Sequence, residues 1–99
     1  MYKDLITYEL SEGISEAHLL EFPKNVIDSW MSKQAGFIKW EIHTNNDGSY
    51  TDIVTWSSKK DATNSEKEMM NIPNGKDCFA CYKAGSISSK NLIKIGEFE

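Results

Sequence analysis

Phe37-Ile38-Lys39-Trp40-Glu41-Ile42-His43-Thr44, then Asn45-Asn46-Asp47-Gly48, then Tyr50-Thr51-Asp52-Ile53-Val54-Thr55-Trp56 is the stretch that decides the fold. The first run alternates apolar and polar residues, the middle supplies turn chemistry, and the last is rich in β-branched and aromatic side chains. Together they predict a β-hairpin. With an even-numbered turn, one face carries Ile38, Trp40, Ile42, Thr51, Ile53 and Thr55, and the other Phe37, Lys39, Glu41, His43, Tyr50, Asp52, Val54 and Trp56. The first set has no charge and is expected to be buried.

Outward from the hairpin, Leu5 to Leu10 alternates as a first strand that ends near Gly13. Ser15 is a helix N-cap with Glu16 in the first turn, and Leu19, Leu20, Pro23, Val26, Ile27, Trp30 and Met31 form a broad apolar stripe. Pro23 removes one helical hydrogen bond. Because the apolar phase continues through it, a single bent helix reaching about Gln34 is expected rather than two short ones, with Gly36 at its stop. After the hairpin, Ser57 and Ser58 offer caps for a second, more exposed helix running to Met70, with Ala62, Ser65 and Met69 as its apolar edge. Pro73-Asn74-Gly75 ends that helix. Cys78, Phe79, Cys81 and Tyr82 suggest a further helical turn closed by Gly85, and Leu92 to Phe98 alternates as a last strand.

The order β-α-β-β-α-β over 99 residues describes one ferredoxin-like α+β domain, a four-stranded antiparallel sheet with helices on one face. The opposite face, expected to carry Phe37, Val54, Trp56, Leu92 and Phe98, is too apolar to stay wet, so a homodimer through the sheet faces is expected.

Composition narrows the partners. Eleven lysines, no arginine and a net charge of -4 supply neither the planar fork nor the field that nucleic acid requires. No apolar run approaches the roughly 20 residues of a membrane span. Two cysteines are too few for a disulfide scaffold, which fits a cytoplasmic protein.

Gln34-Ala35-Gly36-Phe37-Ile38, the turn Asp47-Gly48-Ser49-Tyr50, and Val54-Thr55-Trp56-Ser57-Ser58-Lys59 followed by Ala62 resemble the dimeric α/β-barrel superfamily, in its antibiotic-biosynthesis-monooxygenase-like branch. The resemblance runs over most of the chain. It implies two sheets packed face to face, with a small-molecule pocket between each sheet and its own helices. Family members include cofactor-independent oxygenases of polycyclic aromatics, isomerases and haem-degrading enzymes. The haem-degrading pattern has Trp and His in the second helix and Asn in the first strand. Lys59 to Met70 holds neither, and Lys3 to Leu10 has no Asn, so no haem or other cofactor is expected. The activity implied is that of a small-molecule-binding protein, a cofactor-independent monooxygenase or isomerase acting on a hydrophobic substrate. The alternative is a non-catalytic dimeric binding module with a filled core.

Three constellations bear on chemistry. His43, Glu41, Asp52 and Tyr50 on one hairpin face read first as a structural charge network at the dimer contact, and otherwise as a proton shuttle. Tyr8, Phe22, Trp30 and Trp40, with His18 at the start of the first helix, read first as core. If a cleft exists there, they line it for a flat hydrophobic ligand, His18 carrying the proton and Tyr8 holding a ligand oxygen. Cys78 and Cys81 have CxxC spacing but neither the thioredoxin context nor two further ligands for zinc, and read as small buried hydrophobes. No metal site is expected.

Overall fold

The computed structural model describes residues 1–68 and 80–99. Four strands, β1 (Tyr2–Glu9), β2 (Phe37–Thr44), β3 (Ser49–Trp56) and β4 (Ser88–Ile93), form one sheet in the order β2-β3-β1-β4 with every neighbour antiparallel. Helices α1 (Glu16–Ser29) and α2 (Lys59–Lys67) both pack on the same side, where Val26, Trp30 and Ala62 meet Tyr2, Val54 and Trp56. This is the expected ferredoxin-like sandwich.

The caps are where the residues place them. The Ser15 hydroxyl accepts from the His18 backbone N–H at 3.1 Å, and Ser58 accepts from that of Asp61 at 3.2 Å. Helix α1 runs through Pro23 as one element to Ser29 and tightens into a 3-10 turn over Met31–Lys33. Gly36, with φ +81°, turns the chain into β2. A Cβ there would collide with the Asp61 side chain. Gly36→Ala is therefore expected to lower the urea midpoint by an amount equivalent to about 1–3 kcal/mol, from left-handed strain plus displacement of Asp61 from the α2 cap.

Several expectations change. The first strand starts at Tyr2, and Leu10 forms only an isolated bridge with Tyr82. Residues 80–82 are a turn ending in that bridge rather than a helical turn, and the last strand lies over Ser88–Ile93 instead of Leu92–Phe98, with Ile95 and Phe98 fully out in solvent. Met69, Met70, Pro73, Gly75, Cys78 and Phe79 lie outside the described residues; Cys81 is buried against Tyr8 and Leu19.

The hairpin faces also change. Ile42 pairs with Asp52, Trp40 with Val54, and Phe37 with Trp56, with a bulge between Phe37 and Lys39. Thus Phe37, Trp40, Ile42, Tyr50, Asp52, Val54 and Trp56 share the face under the helices. Val54 and Trp56 are covered by their own chain, not by a partner. The cause is the loop: backbone pairing of Asn45 with Ser49 leaves an odd, three-residue connection, closed by Asp47 Oδ1 accepting from the Ser49 N–H at 2.9 Å. The outer face instead carries three cross-strand rows: His43, Thr51, Thr7 and Ser88; Glu41, Ile53, Leu5 and Lys90; and Lys39, Thr55, Lys3 and Leu92.

Candidate functional site

Strand alternation puts Tyr2, Asp4, Ile6 and Tyr8 of β1, and Asp52, Val54 and Trp56 of β3, in one phase under the helices. Two carboxyls are thereby carried into an aromatic layer, and each organises its own cluster.

The first centres on Asp52, 1% exposed. The wholly buried Tyr8 hydroxyl donates to Asp52 Oδ1 at 2.6 Å, a length typical of a charge-assisted bond, and Tyr82 donates to Oδ2 at 3.3 Å. The Trp40 indole N–H favours the carboxylate from nearby without completing a hydrogen bond. Burial outweighs these donors and raises the Asp52 pKa above the usual carboxylate range. Burial, followed by Asp52 itself, also pushes the Tyr8 phenol far up, so it stays protonated.

The second borders a cavity of about 290 Å³ between the sheet, the end of α1 and α2. Trp30, Met31, Val54 and Trp56 make its apolar wall, and Asp4, Glu66, Ser65, Asn91 and Tyr82 its polar one. Asp4 Oδ1 accepts from the Asn91 amide at 2.8 Å, and the Asn91 oxygen accepts from Tyr2 Oη at 2.9 Å when the amide is oriented to satisfy both neighbours. Desolvation, then the charge of Glu66, raises the Asp4 pKa. Burial is also the main reason the Tyr2 phenol is raised, reinforced by Asp4 and Glu66. The Trp56 N–H sits beside Asp4, where it favours the charged carboxyl, yet this 4%-exposed side chain completes no hydrogen bond. Tyr82 links the clusters, lining the cavity while bonded to Asp52.

The residues anticipated from the sequence are divided by this arrangement. Trp30 lines the cavity. Phe22 and Trp40 pack against the core behind it, and Tyr8 is committed to Asp52. His18 is exposed at the start of α1, its ring 5.3 Å from that of Phe22. His43 lies on the outer face, 3.5 Å from Glu41, so the expected grouping of His43 and Glu41 with Asp52 and Tyr50 is not formed. The alternation that flips the even positions of β3 inward explains this. Asp4, Glu66, Asn91 and Trp56 were missed as site residues. For Asp4 the signal was present, a charge in phase with Tyr2, Ile6 and Tyr8 on the buried side of a strand. Among the described residues no group of three His, Cys, Asp or Glu side chains is placed to hold a metal, and no helix is long and apolar enough to cross a membrane.

No family model and no curated protein matches the chain. Among solved structures it is similar to a monooxygenase from the gene ActVA-Orf6 of Streptomyces coelicolor in complex with nanaomycin D, with TM-score 0.68, 13% identity, and coverage of 99% of this chain and 90% of that one. It is also similar to SnoaB, a cofactor-independent oxygenase from Streptomyces nogalater, with TM-score 0.71, 12% identity and coverage of 97% and 94%. The haem degrader MhuD from Mycobacterium tuberculosis follows with TM-score 0.65, 10% identity and full coverage of both chains. The shared property is the fold, that of antibiotic-biosynthesis-monooxygenase-like ferredoxin-fold proteins.

Proposed function

We propose that this chain is a homodimeric small-molecule-binding protein that takes a small, flat, hydrophobic substrate into the cavity beneath its helices and oxygenates it without a cofactor. The observation that carries this reading is the cavity, about 290 Å³ and walled by Trp30, Met31, Val54 and Trp56. That volume is at the low end of ligand pockets, roughly 300–1,000 Å³, and favours one or two fused rings over a macrocycle such as haem. The fold shared with SnoaB and the nanaomycin-bound enzyme supports the reaction class. For a phenolic substrate, the reaction with dioxygen that balances without a cofactor gives a quinone and water. One oxygen atom replaces a ring hydrogen, the other leaves as water with the two hydrogens lost, and the substrate supplies all the electrons.

Neither histidine lines the cavity, so the acceptor for a substrate proton is sought among Asp4 and Glu66. A carboxyl held above its usual range, as Asp4 is, works better as a base near neutrality. Trp30 supplies the wall, and Phe22, Trp40 and Tyr8 hold the layer behind it in place.

Titration with 2-naphthol, followed by tryptophan fluorescence, is expected to show saturable binding. Ser65→Phe, which projects into the cavity from α2, is expected to weaken it at least about tenfold, the equivalent of ~1.4 kcal/mol, while leaving the circular dichroism unchanged. Equal affinity in the two proteins would place the ligand elsewhere and end this reading. The competing module with a filled core gains if no aromatic compound binds at all.

A further inference from the structure

A substrate lying in the cavity leaves Asp52 unused, because this carboxyl is 1% exposed and forms no part of the lining. Among the described residues its partners are neutral: Tyr8 at 2.6 Å, Tyr82 at 3.3 Å and the nearby Trp40 N–H. A carboxylate buried without a cation is costlier than an amide or hydrocarbon in its place, so stability alone does not account for it. Of its donors only Tyr82 also borders the cavity.

The topology identifies which part of Tyr82 does so. Its main chain is tied to the far end of β1, through the bridge with Leu10 and the Lys83 N–H donating to the Glu9 carbonyl at 2.8 Å. Strand β1 meets the cavity elsewhere, at Asp4 and Ile6. Tyr8 stands between, packed against the Tyr82 ring with centroids 4.3 Å apart, and does not line the cavity. Tyr82 therefore runs alongside Tyr8 toward Asp52, which pairs across the sheet with Ile6. Its phenol end is the part that reaches the cavity wall.

The direction of the O–H at that wall has a chemical consequence. An ionised carboxylate only accepts, so the Tyr82 proton is given to Asp52 Oδ2, and towards a ligand Oη acts as an acceptor. Turning that proton to a ligand oxygen takes a donor from a buried charge, which is costly. Tyr8, on Oδ1, holds the carboxyl in this orientation.

We propose that Tyr82 selects cavity ligands that donate a hydrogen bond, aromatic rings bearing an O–H or N–H, over ethers and carbonyls of the same shape. Tyr82 is the specificity-determining residue and Asp52 the positioning residue behind it. This rests on the cavity being the binding site and narrows the substrate class within it. It also separates substrate from product: a phenol has the proton that Tyr82 Oη accepts, whereas a quinone brings only carbonyl oxygens, whose lone pairs face those of Tyr82.

The test compares indole with benzofuran, two rings of one shape that differ in donating an N–H or offering only an ether oxygen, by calorimetric titration at pH 7. Indole is expected to bind the unmodified protein at least about tenfold tighter. Ser65→Phe is expected to weaken indole as it weakens 2-naphthol, which places both in the cavity. Tyr82→Phe keeps the ring and is expected to bring the two ligands within about threefold, with the affinity for benzofuran unchanged, which separates lost selection from lost fold. Asp52→Asn supplies an amide N–H that can donate to Tyr82 Oη and release the phenol proton, so the preference is expected to fall to about threefold or less there too. Equal binding of indole and benzofuran to the unmodified protein overturns the proposal without any variant. So does a preference that survives Tyr82→Phe or Asp52→Asn. If 2-naphthol binds and indole gains nothing over benzofuran, the selection falls while the cavity reading stands; if nothing binds, both fall.

Discussion

Tyr8→Phe is expected to destabilise the protein by about 1.5–3 kcal/mol at neutral pH, the range for a hydrogen bond to a charged group. The hydroxyl it removes donates to Asp52 at 2.6 Å, and both residues are essentially without solvent. Among the described residues the remaining donors are Tyr82 at 3.3 Å and a Trp40 N–H that falls short of hydrogen-bond geometry. The variant therefore leaves a buried carboxyl that has lost its best partner and that no water reaches. The loss should shrink in acid, where Asp52 takes up a proton and needs its donors less.

The pH dependence has a definite sign. The folded-state pKa of Asp52 is raised, chiefly by burial, above that of the unfolded chain. Below the unfolded value of about 3.9 the carboxyl is protonated in both states and its full contribution to stability is present. As pH rises from there through the raised folded value, the unfolded chain has already released its proton, so stability falls. Asp4 adds in the same direction, from burial and then Glu66. Asp47 and Glu97 are shifted down by hydrogen bonds, from Ser49 and Lys94 respectively, and work the other way, but both are on the surface and screened by salt. Urea melts between pH 4 and 8 are therefore expected to show a decline that Asp52→Asn flattens. An unchanged slope in Asp52→Asn, or a Tyr8→Phe loss under about 0.5 kcal/mol, would mean that Asp52 is far better solvated than its surroundings indicate.

That carboxyl also shows what the sequence makes legible. The alternation of Phe37 to Thr44 and Tyr50 to Trp56, the serines at 15 and 58, and Gly36 each specify local geometry through near neighbours, and β2, β3, the helix starts and the turn into β2 appear there. Which side of the hairpin faces the helices is a parity question, settled by one residue in the Asn46-Asp47-Gly48 loop and by the bulge at Ile38. Alternation is blind to such a slip, because shifting by one residue exchanges both faces completely. The cavity was illegible for a different reason. Its lining comes from all of β1, β3, β4, α2 and the end of α1, so it exists only after tertiary packing, and the sequence suggests at most which aromatic residues are available to it.

The same parity sets the terms of association. With Val54 and Trp56 inside, the surface offered to a second copy is the outer face, where Leu5 and Ile53 stand opposite each other at the centre and Thr7 and Thr51 are hydrogen-bonded at 3.0 Å. Charges sit around this centre, Lys39, Glu41 and His43 on β2, Lys90 on β4 and Lys3 near the start of β1. An apolar centre inside a polar rim is the anatomy of a protein interface. Ile53→Lys is then expected to raise the dimer dissociation constant by about 10³-fold or more. Its two ammonium groups are desolvated at the centre, the neighbouring Glu41 of β2 offsetting only part of a cost of several kcal/mol each, and every 1.4 kcal/mol is a factor of ten. Lys90→Ala, at the rim, is expected to change it by less than about tenfold. Because the position 53 side chain points away from the helices, the variant monomer should keep its circular dichroism and its 2-naphthol site, so that sedimentation and binding report separately. A protein already monomeric by light scattering at micromolar concentration removes the dimer. A dimer indifferent to Ile53→Lys moves the contact off this face, leaving the apolar C-terminal side chains Ile95 and Phe98, both almost fully exposed, as the next surface to test.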